Sequence, residues 1–70
     1  MLNWEQLVRE AVAVRKRERL SQRDLAALAG VTQPTVVKFE KGSESIRVDS
    51  ALAILRALSL AERQGMPPSR

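Results

Sequence analysis

The chain contains no cysteine, no histidine and no tyrosine, and its only aromatic residues are Trp4 and Phe39. Without cysteine there is no disulfide framework and no thiolate ligand for a metal. Without histidine the commonest general base and the commonest zinc ligand are gone. No segment approaches the ~18 consecutive apolar residues of a membrane span. Trp4-Glu5-Gln6 and Arg9-Glu10 interrupt any apolar run of the signal-peptide kind, so a cytoplasmic protein is expected. Paired carboxylates, a nucleophile–base set and a phosphate-binding glycine loop are also missing. The chain is therefore not expected to be an enzyme, and no metal or cofactor is expected. Ser21 and Thr32 read as helix caps rather than nucleophiles.

What is present is compact. Seventy residues, 44% of them hydrophobic and 29% charged, make one small soluble domain. A chain of this length hides only about 60% of its unfolded surface, so each apolar contact matters. Twelve Lys and Arg stand against eight Asp and Glu. The stretch from Arg15 to Arg23 holds Arg15, Lys16, Arg17, Arg19 and Arg23 against Glu18 alone. The rest of the chain is balanced, so the whole surplus of +4 lies in this short segment. Such a surplus makes a polyanion a reasonable partner, although cations gathered at a helix C-terminus also suit the helix dipole.

Alternation is poor and Ala and Leu are abundant, so the periodicity predicts helices joined by short turns. Helix one is expected from about Asn3, its cap, to Arg19. Leu7, Ala11 and Val14 follow one face, with Arg15 beside it. Trp4, Val8 and Val12 form a second row at spacing four. This second row is surplus to a small core; such a stripe is more often core than interface, because a small domain needs every apolar contact, and if exposed it is a candidate dimer or partner surface. Helix two is expected over 21–29. Ser21-Gln22-Arg23-Asp24 has the form of a capping box, and Gly30 supplies a left-handed end. Helix three is expected over 32–41, capped by Thr32, with Pro34 in its first turn. Helix four is expected from Val48 to Leu58, followed by a separate short turn of helix over 59–64. Two short helices joined by a three-residue turn with glycine match the helix-turn-helix arrangement. The domain is placed at 1–64, and 65–70, with Pro67-Pro68, reads as a mobile tail.

Helix three has two distinct sides. At about 100° per residue from Val36, Phe39 and Glu40 stay on its inward side. Pro34, Val37, Lys38 and Lys41 fall outward, with Thr35 at the flank and Gln33 at the tip. That outward side has an amide, a hydroxyl, two lysines and two apolar groups, and no carboxylate. It suits a DNA major groove, where amides read adenine, lysines read guanine or phosphate, and apolar groups touch thymine methyls. Glu40 is an acid on the buried side and needs a partner. Arg15 is the natural one, so a structural Arg15–Glu40 bridge is expected between helices one and three.

The run Leu20-Ser21-Gln22-Arg23-Asp24-Leu25-Ala26-Ala27-Leu28-Ala29-Gly30-Val31-Thr32-Gln33-Pro34-Thr35-Val36-Val37-Lys38-Phe39-Glu40-Lys41-Gly42 resembles the lambda-repressor/Cro-like (XRE) helix-turn-helix family. The likeness continues through Arg47-Val48-Asp49 to Leu58 and covers about residues 7–60. It implies an all-α, compact domain of four to five helices that binds double-stranded DNA. It implies that Gln22 binds a phosphate and braces Gln33. It further implies that Gln33, Pro34, Thr35, Val37 and Lys38 face bases, and that Lys41, Ser43 and Arg47 lie near the backbone, with Arg23 among the DNA-binding residues. Arg15 and Glu40 match a pair in the family. The chain departs from the family at Ile46-Arg47, where many members carry Pro-Ser. On this reading the protein is a dimeric, nucleoid-associated repressor reading a palindromic operator. The stretch from Phe39 to Leu60 also resembles HipB-like antitoxins, which implies an alternative: an antitoxin that binds a cognate toxin and regulates its own operon. A toxin protein is thus a second candidate partner, beside an operator and a second copy.

Overall fold

The computed structural model describes residues 3–64. Four helices follow one another: α1 (Trp4–Arg17), α2 (Gln22–Ala29), α3 (Gln33–Glu40) and α4 (Val48–Gln64). Among the described residues there is no strand. The expected tail at 65–70 lies outside the described residues.

Each of the first three helices begins on a side-chain cap. Asn3 accepts from the Gln6 amide while the Gln6 side chain accepts from the Asn3 amide, a full capping box. Ser21 and Asp24 form a second one. Thr32 accepts from the Thr35 amide at 3.3 Å. Such caps satisfy amides that the first helical turn leaves without partners.

The same three helices also end alike. Each closes on a residue with positive φ: Arg19 (61°), Gly30 (73°) and Gly42 (79°). In each, the next amide reaches back to a carbonyl of the last turn: Leu20 to Arg15, Val31 to Ala26, and Ser43 to Lys38. This is the Schellman motif. Glycine supplies the left-handed residue at two of the ends, and arginine does so at the third. The turn at Arg19 ends α1 at Arg17 rather than at Arg19, as the spacing had suggested. The second difference is at the C-terminal side. Helix four does not stop at Leu58, and residues 59–64 continue it without a break. No Gly or Pro interrupts Leu58 to Gln64, so nothing local ends the helix there. The described chain has four helices, with no separate fifth.

The core gathers one face of every helix. Phe39, Leu25, Ile54 and Val36 are its largest fully buried side chains. Val8, Ala11, Ala26, Ala51, Ala57 and Leu58 surround them. Helix α1 packs against both α3 and α4, and α2 does the same. Two neighbours require two apolar rows on α1, and that decides the second row for core rather than interface. Val8 is buried, and Trp4 and Val12 pack half-buried against the core. The Trp4 ring stands edge-on to Phe39, at 5.7 Å and 89°, a favoured aromatic geometry. Trp4, Val8 and Val12 are therefore core residues and not a free partner surface.

Candidate nucleic-acid interface

Helix α3 has eight residues, too short to be stable by itself in water. It depends on what holds it. Val36 and Phe39 anchor its inner side in the core. At its C-terminal end two polar clamps add to this. The first is centred on Glu40. Arg15 donates to both carboxylate oxygens, through Nε at 2.6 Å and Nη2 at 3.2 Å. Arg15 also donates through Nη1 to the Leu20 carbonyl at 2.8 Å, and Gln22 Nε2 donates to Glu40 Oε1 at 3.0 Å. One acid thus joins α1, α2, α3 and the turn between the first two. Arg15 and Glu40 side chains keep only 12% and 10% exposure. A fork of two parallel bonds in so dry a setting fixes geometry as well as charge. The second clamp is Trp4, whose Nε1 donates to the Gly42 carbonyl at 3.0 Å. Together they set the pitch of α3 on the rest of the domain.

The outer side of α3 is free of such ties. Gln33, Pro34, Lys38 and Lys41 are exposed, and Val37 is half-buried between them. With Val37 they line one shallow hollow of about 490 Å³. Among the described residues neither lysine pairs with a carboxylate. The hollow therefore presents two ammonium groups and one amide around an apolar floor.

The remaining expected contacts are placed differently. The Thr35 hydroxyl shares a 2.8 Å hydrogen bond with the Thr32 hydroxyl. The Ser43 hydroxyl bonds Ser45 Oγ at 2.8 Å and accepts from the Ser45 amide. Arg47 forks onto Asp49, at 3.1 and 3.2 Å. Gln22 is turned to Glu40 instead of Gln33. Arg23 is exposed at the start of α2. The basic segment is also divided. Arg15 points into the core clamp, and Arg17, though exposed, bonds Glu62 of α4 at 2.6 Å; Lys16, Arg19 and Arg23 are exposed as well. Sequence reasoning missed the Arg17–Glu62 and Arg47–Asp49 pairs and the Trp4–Gly42 bond. The first and last span 45 and 38 residues, so no local pattern announces them. Asp24 has a displaced titration. The Ser21 amide that donates to it, with the Ser21 side chain next, holds its pKa below the usual 3.8.

Comparison with known proteins agrees with this geometry. Residues 13–69 match the helix-turn-helix family. The chain belongs to the helix-turn-helix family of the XRE type. Within it, α2 and α3 are the two short helices of the motif, and Gly30 to Thr32 make its turn. The chain is also similar to a protein of Haemophilus influenzae described as an uncharacterized HTH-type transcriptional regulator, 33% identical over 52 residues. That match covers 74% of this chain and 53% of the relative, so the chain spans about half the length of the curated relative it matches. Among the described residues of this helix-turn-helix chain, no group of acidic side chains is arranged to hold a metal ion. No described helix is long and apolar enough to cross a membrane.

Proposed function

We propose that this chain is a DNA-binding transcriptional regulator, acting as a homodimeric repressor on a palindromic operator. Its role is binding, not catalysis. The single observation behind this reading is the outer side of α3. Gln33, Pro34, Val37, Lys38 and Lys41 share one hollow that no carboxylate enters, on a helix clamped from behind at Glu40 and Gly42. Helix α3 enters the major groove and α2 crosses the backbone, as in other helix-turn-helix proteins. Gln33 and Lys38 reach base edges, Val37 and Pro34 offer apolar contact to thymine methyls, and Lys41 meets phosphate. One such helix reads only a few base pairs, so two half-sites about 34 Å apart are needed for useful sequence choice. Thr35, Ser43, Arg47 and Gln22 reach DNA only after exchanging the local partners described above. A toxin-binding role rests on the looser likeness of Phe39 to Leu60 alone, and the α3 hollow favours the regulator.

The test is selection of bound duplexes from a random pool at physiological salt. Enrichment of a two-fold symmetric motif is the expected result, and retention of DNA without any motif counts against operator reading. On the selected site, Lys38→Ala is expected to cost about 1–3 kcal/mol and to relax choice at one base. A uniform loss at every sequence, with a smaller salt slope, would make Lys38 a phosphate contact instead.

A further inference from the structure

One helix end in this chain carries a cost that nothing inside the chain offsets. Of the three ends that close on a left-handed residue, two use glycine and the third uses Arg19, at φ 61°. A residue with a Cβ is disfavoured in that conformation, and glycine is not. A bond made by the side chain within the fold would offset the cost. Among the described residues the Arg19 side chain makes neither a hydrogen bond nor an ion pair, and it is exposed. The turn itself would close as well on glycine. What arginine adds at this position is therefore its side chain, and a strained residue with no internal partner points to a use outside the chain.

The surroundings of Arg19 indicate what it holds. Lys16 and Arg23 flank the same turn, both exposed and neither paired with a carboxylate among the described residues. The acids closest in the chain are Glu18, which is half-buried, and Asp24, whose carboxylate accepts from the Ser21 amide. This corner is therefore positive and attracts an anion. A guanidinium grips phosphate oxygens in pairs, with a geometry that an ammonium lacks. The turn is also fixed relative to α3. Arg15 donates to the Leu20 carbonyl, next to Arg19, and to Glu40 of α3. Gln22, three residues beyond Arg19, donates to the same acid. A free turn could serve any polyanion, whereas one fastened to α3 serves the ligand of α3. We propose that Arg19 grips a DNA phosphate, with Lys16 and Arg23 beside it, when α3 lies in the major groove. This contact rests on the DNA-binding reading and adds to it an anchor on the turn between α1 and α2, separate from Lys38 and Lys41 of the α3 hollow. Phosphate anchors on two separate elements fix the angle and register at which α3 meets the bases.

The experiment compares duplex binding by the full chain, Arg19→Gly and Arg19→Ala from about 50 to about 200 mM salt, with a thermal melt of each. Two duplexes are used: the site selected from the random pool, and one of unrelated sequence. Both variants are expected to bind each duplex about three- to tenfold more weakly, with a salt slope smaller by about 1. Arg19→Gly is expected to melt above the wild type, because the strain leaves with the Cβ. Arg19→Ala keeps the left-handed Cβ and is expected to melt like the wild type. Weaker binding by a more stable protein excludes a loss through misfolding. Wild-type affinity and slope in Arg19→Gly would overturn the phosphate contact. So would a loss confined to one base of the selected site, or an Arg19→Gly chain that melts no higher than the wild type. If these failures accompany an enriched motif, operator reading stands without Arg19. If the pool yields no motif but the slope falls on the unrelated duplex, the contact stands and operator reading fails. A wild type that holds no duplex at any of these salts overturns both.

Discussion

Two arginine–carboxylate forks in this chain have similar geometry and opposite surroundings. Arg15 grips Glu40 with Nε and Nη2, and Arg47 grips Asp49 with the same two nitrogens. The first pair is nearly dry, at 12% and 10% exposure, and the second nearly bare, at 81% and 71%. In the dry pair every charged group has given up water and depends on its partner. In the bare pair water competes with the partner at each bond. The same chemistry is thus a structural joint in one place and a loose latch in the other. The joint sits behind α3, and the latch sits at the start of α4.

The most severe way to break the comparison is to remove one partner from each fork. Glu40→Ala leaves the Arg15 guanidinium buried without its acid. It is expected to cost about 3 kcal/mol or more in urea denaturation. Replacing both together, Arg15→Met with Glu40→Leu, is expected to recover most of that loss. A small cost for Glu40→Ala alone would mean that water reaches this joint.

A middle-sized effect separates the three helix ends. Arg19→Gly removes the strain of a left-handed non-glycine residue, and is expected to raise stability by about 1 kcal/mol. Gly30→Ala is expected to lower it by a similar amount. The added methyl would meet nothing within 4 Å, so the cost comes from φ alone. Opposite signs in a thermal melt would confirm that backbone conformation decides both.

The smaller effects come from the exposed groups. Arg47→Ala is expected to change stability by less than about 1 kcal/mol, an effect that shrinks further in high salt. Its consequence for DNA is expected to be a decrease of about 1 in the salt slope of binding, uniform across sequences. Asp24 gives the pH-dependent case. Its folded pKa lies below its ordinary 3.8, so the stability it adds is complete above that value. It is lost as pH falls through the lower folded value. The melting difference between wild type and Asp24→Asn is therefore expected to shrink on going from about pH 5 to about pH 2. A difference that grows on acidification would contradict the assignment.

Much of the domain was legible because its signals are local. Ser21, Thr32 and Gly30 mark helix ends within a few residues of the bonds they make. The periodicity around Val36 separates Phe39 and Glu40 from Val37 and Lys38. An acid on the inner side of α3 called for a cation, and Arg15 was positioned to supply it. The failures were of another kind. The early end of α1 depends on Arg19 in a conformation that arginine rarely takes. The union of 59–64 with α4 depends on the absence of a stop. Most consequential was the choice between apolar rows. Trp4, Val8 and Val12 looked surplus in number, and only the packing of α1 on both α3 and α4 shows that both rows are used.

The chain by itself determined the four helices, their caps, the turn between α2 and α3, and the composition of the outer side of α3. These follow from short-range hydrogen bonding, backbone preference and helical period. Only the tertiary structure decided which apolar stripes are covered and which charges are paired. Every amphipathic helix shows the same period whether one neighbour or two pack on it. Helix α1 has two such neighbours, so both its rows are used. Helix α4 covers one side of the core, and among the described residues Val48, Leu52 and Leu60 on it stay exposed. Burial, and with it the difference between a joint and a latch, is a property of that arrangement.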